Sequence, residues 1–128
     1  MLSADDALAL VNALIRDLGG ASGWVAANAV HQGLHPAPGA GDTFLIEIRD
    51  AQGRTAGWVS IAAGDAALAA ESAAANLQDL LAESAEMWGE PVPRCDLHGQ
   101  HPMTAEVVDG TAMWRCGGVS VRPVVPID

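Results

Sequence analysis

A chain of 128 residues, 50% of them apolar, is long enough to bury a real core and too hydrophobic to stay disordered. Its formal charge of -10 repels a phosphate backbone, so nucleic acid is a poor partner for the molecule as a whole. The acidic N-terminus lacks the positive charge of a signal peptide, and no stretch approaches the roughly 18 apolar residues of a membrane span. The expectation is a soluble, cytoplasmic protein, a setting that favours metal-bound or free thiols over a disulfide. All six basic residues are arginine and tyrosine is absent, a bias of GC-rich bacterial coding that carries no chemistry of its own.

Taken in chain order, Ser3 offers an N-cap, Asp5 and Asp6 put negative charge in the first turn, and Leu8, Val11, Leu14, Ile15 and Leu18 recur at helical spacing. This predicts a helix over about residues 4–18, stopped by Gly19 and Gly20. "GWVAANAV" at 23–30 is apolar enough for a short strand, and "HQGLHPAPGAG" after it reads as a loop. His31 and His35 are four apart, but Gly33 and Pro36 oppose a helix there, which leaves them as loop histidines. "TFLIEIRD" alternates, with Phe44, Ile46 and Ile48 on one face and Glu47 and Arg49 on the other; "TAGWVSIA" follows the turn "DAQGR", so residues 43–62 predict a β-hairpin.

From Gly64 and Asp65 a long helix is predicted to about Trp88, with Leu77, Leu80, Leu81, Ser84 and Trp88 as one stripe facing the hairpin. Ala73, Ala74, Ala75 and Ala82 make it small and apolar on more than one face. Such a helix is usually buried on most sides, and a second copy of the chain is one cover for it; a solvated helix whose alanines reflect coding bias is the alternative. Gly89, Pro91 and Pro93 end it, and "EPVPR" marks a boundary between an acidic α+β body, 1–90, and a C-terminal segment, 91–128. The body carries three arginines against twelve carboxylates, the segment three against four.

"TAEVV-DG-TAMWR" is the strongest local signal, since two alternating runs around Asp-Gly favour a two-residue type I′ turn. With Asp109 and Gly110 as the loop, Val108 pairs with Thr111, Glu106 with Met113, Thr104 with Arg115 and Met103 with Cys116. Cys116 therefore returns beside the entry into the first strand, where His101 lies, and Cys95 and His98 form a Cys-x2-His turn just before it. Cys95, His98, His101 and Cys116 supply the four N/S ligands of a structural zinc, and a segment this short has little core without such a staple. A Cys95–Cys116 disulfide, free cysteines beside incidental histidines, and a catalytic metal remain alternatives.

"PRCDLHGQHPMTAEVVDGTAMWRC" resembles the C-terminal segment of a group of small actinobacterial proteins of uncharacterised function, with a Cys-x2-His element, a His-Pro, an Asp-Gly hairpin and a Trp-x-Cys. More loosely it is similar to zinc ribbons. The resemblance spans about residues 88–117 and implies a zinc-ribbon-like hairpin but no activity. Zinc ribbons close with a second paired knuckle that is absent here, which makes His101 the weakest of the four ligands and Asp96 the reserve.

The fold expected is α+β: helix, antiparallel β-hairpin and long helix, then the ribbon-like hairpin. The function expected is a zinc-stabilised binding or adaptor protein acting through a protein partner, an antitoxin or immunity protein being one form of it. Trp24, Trp58, Trp88 and Trp114 are contact candidates, with core the commoner role for each. A metal-dependent hydrolase with an open zinc site is the second reading, with Glu90, Asp96 or Glu106 as base; it lacks a supporting motif, and no enzyme is the expectation. Nucleic-acid binding through Arg94, Arg115 and Arg122 of the ribbon is the third.

Overall fold

The computed structural model describes residues 2–19, 23–34, 41–84, 88, 90–97, 99 and 101–124. They form two helices and two antiparallel three-stranded sheets, an α+β arrangement. The elements are α1 (Ala4–Gly19), β1 (Val25–Leu34), β2 (Asp42–Arg49), β3 (Thr55–Ala62), α2 (Ala66–Ala82), β4 (Thr104–Val108), β5 (Thr111–Cys116) and β6 (Val119–Pro123). Among the described residues, no helix is long and apolar enough to cross a membrane.

Helix α1 starts as its sequence predicts. The Asp6 N–H donates to Ser3 Oγ at 3.1 Å and the Ser3 N–H to Asp6 Oδ2 at 3.3 Å, a reciprocal cap that satisfies two donors at once. Ala7, Val11, Leu14, Ile15 and Leu18 are buried along one face.

The first sheet runs β1-β2-β3. Phe44, Ile46 and Ile48 pair with Ile61, Val59 and Gly57, and this face is the buried one, as the alternation requires. Strand β1 corrects the expectation of a loop after Val30. It continues through His31, which pairs with Phe44, to Leu34, with register irregularities after Ala26 and His31. Gly33 lies inside the second irregularity, where it belongs to a bulged strand instead of breaking one. His31 packs edge-on against Phe44, ring centroids 5.7 Å apart, and its Nε2 is 3.2 Å from Asp42 Oδ2. His35 lies outside the described residues.

Helix α2 opens on an Asp65 side chain that accepts from the Leu68 N–H at 2.8 Å, and it ends at Ala82, earlier than predicted. Ser84 donates its hydroxyl to the Leu81 carbonyl at 2.7 Å, and the Glu83 N–H turns to the Asp79 and Leu81 carbonyls. These local bonds close the last turn and compete with further helix. Trp88 accordingly lies off the helix in a turn and is 74% exposed, so the predicted stripe stops at Leu81. Leu77 and Leu81 are fully buried, and partly buried Leu80 lies over Gly57, where a Cβ would come within 2.5 Å of Leu80 Cδ1.

Two sides of α2 are covered within the chain, one by the expected hairpin and one by the second sheet, which the sequence did not suggest; of the four alanines singled out, Ala73 and Ala74 are buried, Ala75 is half-buried and Ala82 is exposed. One side of the helix meets β3: Ser72 Oγ accepts from the Ala62 N–H at 3.0 Å and Asn76 donates to the Ser60 carbonyl at 2.8 Å. Another side meets the second sheet. Glu71 accepts the Val107 N–H at 2.8 Å, while Gln78 Nε2 donates to the Val92 and Met103 carbonyls at 2.7 and 2.6 Å. Ala69, Ala70, Ala73 and Ala74 are buried within the chain itself. Small side chains let a helix approach packing layers on two sides, so a second copy is not needed to cover Ala73 and Ala74.

The second sheet runs β4-β5-β6. Asp109 at φ 52° and Gly110 at φ 79° form the tight turn, and the pairs Val108 with Thr111, Glu106 with Met113 and Thr104 with Arg115 follow as predicted. Strand β6 was not foreseen. Gly117 at φ 59° and Gly118 at φ 89° form another two-residue loop that pairs Cys116 with Val119. Val92, Cys95, Met103, Ala105, Ala112, Trp114, Cys116 and Val124 join the same buried cluster as the residues of α1, α2 and the first sheet.

Candidate functional site

The site is built on a short antiparallel pairing that precedes β4. The Cys95 N–H donates to the His101 carbonyl at 3.0 Å, the Met103 N–H to the Pro93 carbonyl at 3.0 Å, and Arg94 bridges to Pro102. Between these bonds the Gly99 N–H donates to the Cys95 carbonyl at 2.7 Å. Gln78 holds the base of this pairing against α2 through its two bonds to the Val92 and Met103 carbonyls. Cys116, the last residue of β5, comes back beside it, as the hairpin register requires.

Cys95 and Cys116 are joined by a disulfide, with Cα atoms 6.2 Å apart across a sequence separation of 21. Both are buried, at 1% and 3% exposure. His101 is exposed and its Nε2 lies 3.5 Å from Cys116 Sγ, while its Nδ1 lies 3.3 Å from the Pro102 carbonyl. With Nδ1 as the donor, Nε2 presents its lone pair toward the sulfurs, the orientation that a backbone carbonyl bonded to the other ring nitrogen gives to a metal-ligating histidine. The ligand atoms of Cys95, His101 and Cys116 all lie within 4.8 Å of one another, and they are the one group of this kind among the described residues.

Three of the four residues expected to bind zinc are thus brought together. The fourth, His98, lies outside the described residues. Zinc binds thiolates, and the disulfide offers none, so the arrangement described here is not that of the expected zinc site. Asp96, the reserve ligand, is not in the cluster; its carboxylate faces Arg122 Nε at 3.9 Å.

The other groups weighed for chemistry are held in ion pairs. Glu90 meets Arg94 at 2.6 Å, Glu106 meets Arg115 at 3.3 Å, and Arg122 meets Asp17 at 2.7 Å. The three arginines considered for nucleic acid therefore each face a carboxylate, and the carboxylates considered as bases, Glu90, Glu106 and Asp96, each face an arginine. A cleft beside the centre is lined by Asp17, Leu18, Val92, Arg94, Asp96 and Arg122.

The first sheet carries a second feature, on the face opposite its buried side. Val30 pairs with Leu45, and Glu47 pairs with Trp58; Val30 and Trp58 remain 47% and 46% exposed. Core was the commoner expectation for each tryptophan, and it holds for fully buried Trp114 but not for Trp58 or Trp88. The strand period placed Trp58 opposite Val59 and Gly57, a signal present in the sequence: with Val59 facing in, Trp58 faces out. No protein-family model, no curated protein and no solved structure matches the chain.

Proposed function

We propose that the chain is a small binding protein that acts through a protein partner, with a zinc-ribbon-like C-terminal unit fastened by Cys95, His101 and Cys116. The observation that carries this reading is the convergence of those three ligand atoms within 4.8 Å at the end of a hairpin whose register is fixed by its turn. Reduced, the two thiolates and the imidazole supply three of the four ligands of a closed zinc site. His98, three residues after Cys95, is the fourth ligand of the proposal. In the oxidised chain the disulfide makes the same fastening.

A binding role draws support from Trp58 and Val30, large apolar side chains left open on the first sheet beside a charged Glu47. Tryptophan is among the residue types enriched in interface hot spots.

Metal analysis of the chain purified under reducing conditions tests the staple. One zinc per chain, lost on Cys116→Ser, is the expected result; a reduced, folded chain without metal after zinc supplementation ends the reading. Trp58→Ser, compared with wild type in affinity capture from the native cell, tests the partner: a protein retained equally by both would rule out this face as its contact.

A further inference from the structure

Resting on the zinc reading, we infer that Cys95 and Cys116 exchange one zinc ion for the disulfide they form here, with hydrogen peroxide as oxidant, so that the fastening of the second sheet is set by redox state. The same two sulfurs are partners in both arrangements. In a disulfide they are about 2 Å apart. As two ligands of a tetrahedral zinc, at about 2.3 Å each, they are about 3.8 Å apart. That difference is within reach of side-chain rotation at two residues whose Cα atoms are 6.2 Å apart.

Their backbones are held by bonds that do not involve sulfur. Cys95 is fixed by the N–H bond to the His101 carbonyl, Cys116 by its pairing with Val119, and the whole pairing by Gln78. Breaking the S–S bond therefore leaves two thiols facing each other with His101 alongside, a metal site formed in advance. His101 also gives the buried pair its link to solvent, because it is exposed and its Nε2 is 3.5 Å from Cys116 Sγ. The thiolate, the form in which cysteine binds zinc, is also the form that attacks peroxide.

The chemistry balances with peroxide as the only co-reactant. The Cys116 thiolate attacks one peroxide oxygen, the O–O bond breaks, hydroxide leaves and Cys116 becomes a sulfenic acid. The Cys95 thiolate then attacks that sulfur and expels a second hydroxide as the S–S bond forms. Two electrons pass from the sulfurs to the peroxide. Zinc, deprived of both thiolates, leaves as the free ion. A dithiol reverses the change by thiol–disulfide exchange, ending as its own disulfide and returning two protein thiols to the metal.

The test uses the full chain, reduced with a dithiol, loaded with zinc, cleared of excess metal and treated with hydrogen peroxide. Released zinc is read with a chromogenic chelator and the bond by non-reducing peptide mapping. The inference expects one zinc released for each Cys95–Cys116 bond formed, and full reloading after dithiol and zinc. Zinc retained through oxidation, or released with the cysteines carried to sulfinic acid instead of a disulfide, overturns the exchange and leaves the zinc reading standing. A reduced chain that takes no zinc overturns both. His101→Ala keeps both sulfurs and is expected to form the disulfide while binding zinc at least about tenfold more weakly; unchanged affinity removes His101 from the site.

Discussion

Glu47 is 7% exposed although it lies on the face of the first sheet that carries exposed Trp58 and Val30. A carboxylate in that position must replace the water it loses. Thr55 Oγ1 donates to it, Asn28 Nδ2 donates at 2.6 Å and Arg49 Nη2 at 3.3 Å, bringing in a residue from β1 and one from β3. These bonds, that from Thr55 foremost, lower its pKa from the ordinary 4.5 to about 2. The sign follows from linkage. A pKa lower in the folded chain gives stability that is complete above the unfolded value and is lost as pH falls through the folded one. Wild type is therefore expected to lose this contribution between about pH 5 and pH 2, whereas Glu47→Gln lacks it at every pH. Urea midpoints of the two proteins should differ most at neutral pH and converge in acid; a constant gap would show that the charge of Glu47 contributes nothing. Alternation alone placed Glu47 opposite the core, but its near burial depends on Asn28 and Thr55, which the sequence gives no reason to bring to one carboxylate.

At the scale of elements, α2 packs against α1, β3, β4 and β5, and two substitutions separate its roles. Leu77→Ala empties a fully buried position and is expected to cost about 2 to 5 kcal/mol in denaturant unfolding, with no effect on which ligands the Cys95 centre offers. Gln78→Met keeps the length of the side chain but strands the Val92 and Met103 carbonyls it bonded, at a cost of about 1 to 3 kcal/mol. Hydrogen exchange at residues 91–103 should rise more in Gln78→Met than in Leu77→Ala; the reverse order would mean the amide does not hold the pairing that positions Cys95 and His101. What was legible in these elements follows from local rules. The cap at Ser3, the alternation of Phe44, Ile46 and Ile48, and the Asp109–Gly110 turn were each written in a few adjacent residues, so α1, the β2–β3 hairpin and the β4–β5 register could be read. Beyond Val30 and beyond Ala82 the outcome depended on partners far along the chain. Strand β1 continues because β2 pairs with it despite Gly33, and α2 stops where Ser84 bonds back to Leu81. The Gly117–Gly118 loop is a second hairpin signal of the local kind, two adjacent residues free to take positive φ. The centre was half legible for a different reason: the register brings Cys116 to Cys95 and His101, but a disulfide and a dithiolate metal site ask the same proximity of two cysteines.

For the whole molecule, the consequence of α2 lying between two sheets is that neither has a core of its own. Trp114, Met103 and Cys95 belong to one buried cluster with Leu14, Ile46 and Leu77. Helix α1 and strand β6 are also tied at the surface, where Arg122 meets Asp17 at 2.7 Å. Oxidised, with the loop between Cys95 and Cys116 closed over 21 residues, the chain is expected to unfold in one step. Loop closure of that length is worth about 3 kcal/mol on the chain-entropy account. That is a large fraction of the roughly 5 to 15 kcal/mol by which domains are stable. Reduction with a chelator present breaks the disulfide and withholds metal from the two thiols. The loss falls on residues 91–124, because they have the shortest strands and depend on α2 for cover, whereas the first sheet keeps α1. Trp114, the fully buried tryptophan among the described residues, reports on that part, and far-UV circular dichroism reports on both helices. In the oxidised chain the two signals should change together with denaturant. In the reduced, chelated chain the fluorescence change should come at lower denaturant than the loss of helix, and added zinc should bring the two back into coincidence. Coincident transitions in all three states would mean the shared core alone makes the chain cooperative and the Cys95 centre does not hold the second sheet in place.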